Sequence, residues 1–106
     1  MALSWLAISR EEIVGVTMTR DEWVCDLWVR RDSRRLGIGA KLLAQAELEI
    51  CSRGRETLRL RVVKSNTRAV LFYQSHGWKV HCEFPHEQFG HAMLQMTKSS
   101  RTIPIP

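Results

Sequence analysis

The stretch RRLGIGA, residues 34–40, lies between a β-like run over residues 23–29 and a helix-like run that continues to Cys51. Gly37 and Gly39 lack Cβ atoms where the backbone must turn sharply, so consecutive N–H groups at the helix start can approach an anion closely. The helix N-terminus adds partial positive charge at the same place. A glycine pattern this short is common by chance, but between a strand and a helix it predicts an anion site.

Regular patterns of apolar residues extend outward from this stretch. Residues 3–8, 13–19 and 23–29 alternate as three strands separated by polar turns, with Cys25, Leu27 and Val29 on one side of the third strand. Downstream, the spacing predicts a helix over residues 37–53 that Gly54 ends, a strand over 57–64, a helix over 66–76, and strands over 78–84 and 92–97.

This order of elements predicts an α/β (α+β) fold with a mixed, mostly antiparallel sheet of about six strands and two main helices. The succession strand, helix, strand predicts a right-handed parallel or splayed crossover. Residues 1–98 are expected to form a single domain. Residues 99–106 hold two prolines and no helical period, so they are expected to be an extended or flexible tail.

Composition narrows the class of protein. The chain has 106 residues, of which 44% are hydrophobic and 25% charged, as in an ordinary soluble globular domain. Its net charge of +5 suits nucleic acid, an anionic membrane surface or a nucleotide cofactor, but the aromatic residues fall at core-like positions, which disfavours nucleic acid. No apolar run has membrane-spanning length, so we expect a cytoplasmic protein. The three cysteines, Cys25, Cys51 and Cys82, are expected to be reduced and buried.

Several separated motifs share one order and spacing. Leu27-Trp28-Val29 is followed by Arg34-x-x-Gly37-x-Gly39, then by Asn66, by Phe72-Tyr73 and by Gly77-Trp78. In this arrangement the chain resembles the GNAT superfamily of acyl-CoA-dependent N-acetyltransferases, over about residues 13–97. The resemblance implies a sheet that splits open between two central parallel strands, here residues 23–30 and 57–64.

The resemblance also implies where acetyl-CoA, the co-substrate, would bind. Its pantetheine arm would pair with the backbone of Leu27 and Val29. Its pyrophosphate would rest on the N–H groups of Arg35, Leu36, Gly37, Ile38, Gly39 and Ala40, with Arg34 shaping the loop and contacting phosphate. Asn66 matches a position that commonly contacts the cofactor, although an isolated Asn here could equally cap the second helix. No metal site is expected, because no histidine shows metal-ligand spacing with cysteines or carboxylates.

Tyr73 is the candidate catalytic residue and the only tyrosine of the chain. A phenol with an ordinary pKa of about 10 is a suitable proton donor to a coenzyme A thiolate of similar basicity. The resemblance implies that Tyr73 lies beside the sulfur atom. The alternative is that Tyr73 packs in the core with Phe72.

A general base is harder to assign. In histone-type members of the superfamily a Glu lies on the strand before the glycine loop, but the matching position here holds Trp23. Glu22 points to the opposite face, and Asp26 has the wrong parity unless a bulge shifts the register. His81 is a further candidate, with a surface role as its alternative, so the base stays unassigned.

Family members usually begin with a strand and two helices that precede the region seen here. We therefore expect an open acceptor cleft and an exposed edge strand, which a homodimer would cover. The predicted activity is acetyl transfer to a primary amine by direct attack. The alternative is an acyl-CoA-binding or interaction module of the same fold that is inactive or only weakly active as a catalyst.

Overall fold

One sheet of six strands with two α-helices forms the computed structural model, which describes residues 2–34 and 36–104. The strands are β1 (Ala2–Ser9), β2 (Glu12–Arg20), β3 (Trp23–Val29), β4 (Thr57–Val63), β5 (Lys79–Pro85) and β6 (Ala92–Ser99). The helices are α1 (Ile38–Ser52) and α2 (Thr67–Ser75), and short 3-10 turns lie at Arg31–Ser33 and Ser100–Thr102. The predicted fold class is confirmed.

The strand order is β1-β2-β3-β4-β6-β5, and every neighbouring pair is antiparallel except β3 and β4. These two parallel strands pair only at Trp23 with Arg59 and at Val24 with Leu60. Beyond Val24 they separate, which confirms the splayed central pair. Backbone N–H and C=O groups along the separated edges are then free to bind a ligand.

Helix α1 packs on one face of β1, β2 and β3. It begins after Gly37, whose φ of 77° lies in the left-handed region that favours glycine. Its contact with β2 is close, since a Cβ added at Gly15 would lie 2.9 Å from Leu42 Cδ1 and 3.2 Å from Ile38 Cγ2. We call the side of the sheet that carries Gly15 the helical face, and the other side the outer face.

One hydrophobic core joins the two helices to the sheet on the helical face. Its buried residues come from β3, α1, β4, β6 and the segments after α2 and β6: Val24, Leu43, Ala46, Ile50, Leu58, Leu60, Val62, Trp78, Leu94, Met96 and Ile103. Ala69, Val70, Phe72 and Tyr73 of α2 pack against it. This core holds α2 beside the separated ends of β3 and β4.

A buried ion pair crosses this core. The Lys98 ammonium lies 3.1 Å from Glu47 Oε1, with side chains that are 11% and 8% exposed. Trp78 Nε1 donates to Glu47 Oε2 at 2.9 Å, and Lys98 also donates to the backbone carbonyl of His76 at 2.7 Å. Because each charged group has several partners, the network links α1, β6 and the turn after α2 without leaving a bare buried charge.

A β-bulge in β3 changes the predicted alternation. Met18 of β2 pairs with Asp26, but the next residue, Thr19, pairs with Val24, so Cys25 is the extra residue. The sequence predicted Cys25 on the same side as Leu27 and Val29. Instead Val24 shares the helical face with Leu27 and Val29, because their β2 partners are Thr19, Thr17 and Gly15.

The cysteine prediction is partly wrong. All three are free, as expected, but Cys25 and Cys82 are exposed and only Cys51 is partly buried. Cys25 is the bulged residue of β3. Cys82 follows a second register shift, between Val80 and Cys82, on the edge strand β5. A cysteine at a bulge or on an edge strand can face solvent even within an apolar run. Residue type alone therefore predicts the burial of these two thiols wrongly.

The start of the C-terminal tail also differs from the predicted extended or flexible segment. Ser100–Thr102 forms a 3-10 turn that Ser99 caps by accepting from the Arg101 N–H at 3.3 Å. The turn directs Ile103 into the core, where it is 7% exposed. Burial of one apolar side chain, together with a capped turn, is sufficient to hold this segment against the domain. Among the described helices, none combines the length and apolar character needed to cross a membrane.

Candidate functional site

A cavity of about 520 Å³ opens where β3 and β4 separate, between the turn before α1 and the first turns of α2. Its lining consists of Leu27, Trp28, Val29, Arg34, Gly37, Gly39, Ala40, Asn66, Arg68, Ala69, Phe72 and Tyr73. Residues from two distant parts of the sequence, 27–40 and 66–73, thus meet in one cleft. Most of the lining is apolar or backbone, and the charged and amide side chains, Arg34, Asn66 and Arg68, lie near the two helix N-termini.

The start of α1 forms one end of the cavity. The first hydrogen bond of the helix runs from the Lys41 N–H to the Gly37 carbonyl at 3.1 Å, so the preceding N–H groups have no helical acceptor. No side chain caps this end, and the first turn carries no acidic residue. A Cβ at Gly39 would lie 3.5 Å from Phe72. This is an ordinary van der Waals distance, so Gly39 lies in direct contact with the cavity wall, beside N–H groups that can bind an anion.

Arg34 joins this loop to the end of β3. Its Nε donates to the Val29 carbonyl at 3.3 Å, and its own N–H donates to the Arg31 carbonyl at 3.4 Å. Arg30 holds the loop at a second point, because its guanidinium bonds Asp32 at 2.6 Å and Glu12 at 2.7 Å. The hydrogen bond from Arg30 holds the pKa of Asp32 below its usual value. The loop is thus anchored at its β3 end, before the candidate anion site.

Asn66 lies at the start of α2 and caps it. Its Oδ1 accepts from the Ala69 N–H at 3.2 Å, so the capping alternative from the sequence is present in the structure. The same residue lines the cavity. Its side-chain amide N–H groups, which the cap does not use, can still donate to a ligand. Contact with a cofactor stays a prediction.

Tyr73 lies on the inner side of α2, half-buried at the cavity. Its ring meets Phe72 edge-on at a centroid distance of 5.5 Å and Trp78 at 6.3 Å. Burial raises the pKa of Tyr73 above its usual value of 10, and the negative charge of Asp26 raises it further. The phenol therefore keeps its proton at neutral pH. Both predicted properties, packing beside Phe72 and access to the cleft, occur together.

The candidates for a general base differ in their surroundings. Glu22 is paired with Arg59 at 3.1 Å. His81 is exposed on edge strand β5, two strands beyond β4 in the sheet order. Asp26 meets the condition stated for it from sequence, because the bulge at Cys25 places it on the same face as Trp23. The β2 partners of Asp26 and Trp23 are Met18 and Arg20, two residues apart.

The predicted cofactor residues fall into three groups. Leu27, Val29, Arg34, Gly37, Gly39, Ala40, Asn66 and Tyr73 line the cavity. Leu36 is exposed and Ile38 packs toward Gly15, and neither lines it. Arg35 lies outside the described residues. For Arg35, Leu36 and Ile38 the sequence implicated only the backbone N–H groups, so their roles in binding stay predictions.

Four lining residues were not assigned to the site from sequence, although the first two belong to the motifs that carry the resemblance: Trp28, Phe72, Arg68 and Ala69. Arg68 and Ala69 follow the Asn66 cap by two and three residues, so their place in the first turn of α2 was a usable signal. A second guanidinium at a helix N-terminus adds positive charge near the candidate anion site. Within the described residues, no cluster of three or more metal-ligating side chains occurs.

A family model described as "Acetyltransferase (GNAT) domain" matches residues 1–100 of the chain. Among solved structures, nourseothricin acetyltransferase matches with a TM-score of 0.85 and 20% identity, over 97% of this chain and 66% of that one. A GCN5-related N-acetyltransferase from Rhodopseudomonas palustris has a TM-score of 0.83 and 21% identity, over 92% of this chain and 61% of that one.

A third solved structure contains a ligand. The putative streptothricin acetyltransferase from Bacillus anthracis, in complex with acetyl coenzyme A, matches with a TM-score of 0.83 and 18% identity, over 92% of this chain and 62% of that one. At such identities the likeness shows the fold. The chain thus spans less than two thirds of the length of these three structures. No curated protein is significantly similar to it in sequence.

Proposed function

Because the chain belongs to the GNAT acetyltransferase family, we propose that it transfers an acetyl group from acetyl-CoA to a primary amine by direct attack. One observation carries the proposal. The cleft at the split between β3 and β4 has an uncapped helix N-terminus at one end and a protonated phenol, Tyr73, in its wall. These are an anion site and a proton donor within one cavity.

Acetyl-CoA would bind along this cleft. Its pyrophosphate accepts hydrogen bonds from the first N–H groups of α1, with Arg34 and Arg68 supplying positive charge. Its pantetheine amides pair with the backbone of β3 at Leu27 and Val29, beyond the point where the β4 ladder ends. The acetyl thioester then reaches the vertex of the split, near Tyr73. This cofactor assignment is supported by the acetyl-CoA complex of the B. anthracis relative.

The chemistry requires loss of a proton from the amine and gain of a proton by the leaving thiolate. The amine nitrogen attacks the thioester carbonyl, and collapse of the tetrahedral adduct breaks the C–S bond. Tyr73 donates its proton to sulfur as the bond breaks. General acid catalysis of this kind contributes about 10²- to 10⁴-fold in rate.

Thermal unfolding with and without acetyl-CoA tests the donor site. At a ligand concentration of 100 times the dissociation constant, binding should stabilise the fold by about 2.7 kcal/mol. ATP at the same concentration is the control, because a protein with a net charge of +5 binds polyanions weakly in general. Equal shifts with both ligands, or none at millimolar acetyl-CoA, would contradict the proposal.

Release of free coenzyme A thiol with a panel of primary amines tests the transfer. The alternative is an acyl-CoA-binding module that is inactive or weakly active, and it predicts a thermal shift with little or no amine-dependent thiol release. Turnover that depends on the amine supports the enzyme. The two measurements together separate a catalyst from a binder.

A homodimer is proposed from the exposed edge of the sheet. β1 is the terminal strand, and Leu6 and Ile8 on it are 52% and 64% exposed. A second copy would cover apolar surface and pair the free edge. Sedimentation at micromolar concentration tests this, with monomeric behaviour as the contrary result. A cytoplasmic location stays a prediction.

A further inference from the structure

The outer face of β3 carries a carboxylate at the vertex of the split. We propose that Asp26 binds the ammonium group of the acceptor and takes its proton before attack. The assignment rests on the acetyl transfer proposed above and adds to it the acceptor-binding group and the missing base.

Register determines the side from which Asp26 is reached. Without the bulge at Cys25, Asp26 would lie on the same face as Val24, which is buried in the core. The extra residue reverses this. Asp26 pairs with Met18 on the outer face, whereas Leu27 beside it pairs with Thr17 on the helical face. An acceptor can therefore approach Asp26 from the outer side, while the donor lies along the helical side of the same strand.

Asp26 also lies where the sheet opens. The last paired residue of β3 toward β4 is Val24, and the bulge follows at once. Asp26 thus lies two residues beyond the last paired residue, where β3 has separated from β4, with its side chain on the outer face. Its negative charge is felt by the Tyr73 phenol across the split. A base and an acid on the two sides of one opening suit a reaction in which the thioester lies between them.

The Asp26 carboxylate is available for a ligand. Of the eleven acidic residues, eight form ion pairs with Arg or Lys in the described part of the chain: Glu12, Asp21, Glu22, Asp32, Glu47, Glu49, Glu83 and Glu87. Asp26 forms none there. Its carboxylate makes no hydrogen bond to the described residues, and its backbone carbonyl accepts from the Thr17 hydroxyl at 2.9 Å. That bond holds the strand in place and leaves the side chain exposed.

The neighbours of Asp26 indicate the class of amine. Met18 lies directly across the strand pair, and Trp28, which is 49% exposed, follows two residues along the same face. Arg59, on the adjacent strand, has its charge compensated by Glu22 at 3.1 Å. A cationic amine with an apolar group beside it would place the ammonium on Asp26 and the apolar group on Trp28.

Asp26 and Tyr73 together account for every proton that is transferred in the reaction. The ammonium gives one proton to Asp26, which releases it to water, and the neutral amine attacks the carbonyl carbon. The C–S bond breaks, and the thiolate takes the Tyr73 proton. The tyrosinate regains a proton from the nitrogen of the new amide, through water. The net products are an amide, free coenzyme A and one proton in solution.

The test compares Asp26→Asn with Asp21→Asn. Asp21 is a half-exposed turn residue paired with Arg55 at 2.6 Å, and its φ of 53° suits Asn equally well. Two probes are used at pH 7: phenethylamine, an alkyl amine with a pKa near 10, and the dipeptide Ala-Phe, whose α-amine has a pKa of about 8. Thiol release is measured with each, and acetyl-CoA binding is measured by thermal shift.

We expect Asp26→Asn to lower kcat/KM for phenethylamine by about 100-fold or more, because only a minute fraction of that amine is deprotonated in solution. For the dipeptide the loss should be about 10-fold or less, and the acetyl-CoA shift should be unchanged. Asp21→Asn should match the wild type. Equal losses for both probes, or none, would overturn the role of Asp26 as proton acceptor.

A second readout does not depend on turnover. Because Tyr73 is the only tyrosine, tyrosinate absorbance titrates it alone. Asp26→Asn, or Asp26→Ser if the first variant folds poorly, should lower the pKa of Tyr73, and an unchanged titration would show that Asp26 does not face the split. Failure of the wild type to acetylate either probe while it binds acetyl-CoA would instead count against the proposed transfer itself.

Discussion

The two faces of the sheet around β3 are built in different ways. On the helical face, Val24 is buried in the core and Leu27 and Val29 lie beside the donor cleft. On the outer face, Trp28 is half-exposed while also lining the cleft, and Asp26 is exposed and has no ion-pair partner among the described residues. One strand thus presents a packed side and an accessible side.

This difference separates how the two substrates would be recognised. The donor site depends on backbone: a left-handed glycine, free N–H groups at a helix start and the open edge of β3. The acceptor side depends on a few side chains whose positions follow from one bulge. Changes that alter backbone or the Tyr73 proton should therefore affect all substrates, whereas changes on the outer face should affect acceptors selectively.

Tyr73→Phe should have the largest effect on activity. The ring contacts with Phe72 and Trp78 are kept, but the proton donor is lost, so kcat should fall by about 10²- to 10⁴-fold for every amine. Acetyl-CoA affinity should change by less than about twofold. Thiol release and thermal shift measure the two quantities. Normal turnover with lowered stability would instead assign Tyr73 to the core alone.

Lys98→Met should have the largest effect on stability. It leaves Glu47 buried without its cationic partner, which costs about 3 kcal/mol of the free energy of unfolding. The matched change on the outer face, Arg59→Gln, breaks a more exposed pair with Glu22 and should cost less than about 1 kcal/mol. Denaturant unfolding measures both.

The double variant Glu47→Gln with Lys98→Met is the control for the buried pair. Gln can still accept from Trp78 Nε1, and no charge is left buried, so at least half of the lost stability should return. Equal losses of unfolding free energy for Lys98→Met and Arg59→Gln would show that the helical face is no better shielded from water than the outer face.

Changes at Asn66 should have the smallest effect. Asn66→Ala removes the cap of α2 and should lower stability by about 1 kcal/mol, whereas Asn66→Ser keeps a capping oxygen and should be nearly neutral. Both variants lose the side-chain amide. If that amide donates to acetyl-CoA, both should bind it a few-fold more weakly by thermal shift. Unchanged affinity in both would leave Asn66 as a cap only.

Much of the fold was readable from local pattern. The strand and helix order, the mixed sheet and its splayed centre were predicted from alternation, from glycine positions and from the GNAT resemblance, and they agree with the structure. The residues around Gly37 that line the cleft could be singled out from sequence because a tight turn and a helix start leave strong local signals, and their role in donor binding stays a prediction. Arg68 was missed, because one exposed arginine on a polar helix turn looks like many others.

The features that differ from the sequence-based predictions all depend on contacts between residues far apart in the sequence. The bulge at Cys25 follows from how β3 aligns with β2, and it decides which face Asp26 takes. Ile103 is buried because a turn after β6 brings it to the core. Local sequence thus specified the elements and the glycine turn at which α1 begins, where we propose the anion site, since φ preference and periodicity act over a few residues. Pairing register and burial sum contributions from strands far apart in the chain, so the side chains of the acceptor face became assignable only once the folded sheet was known.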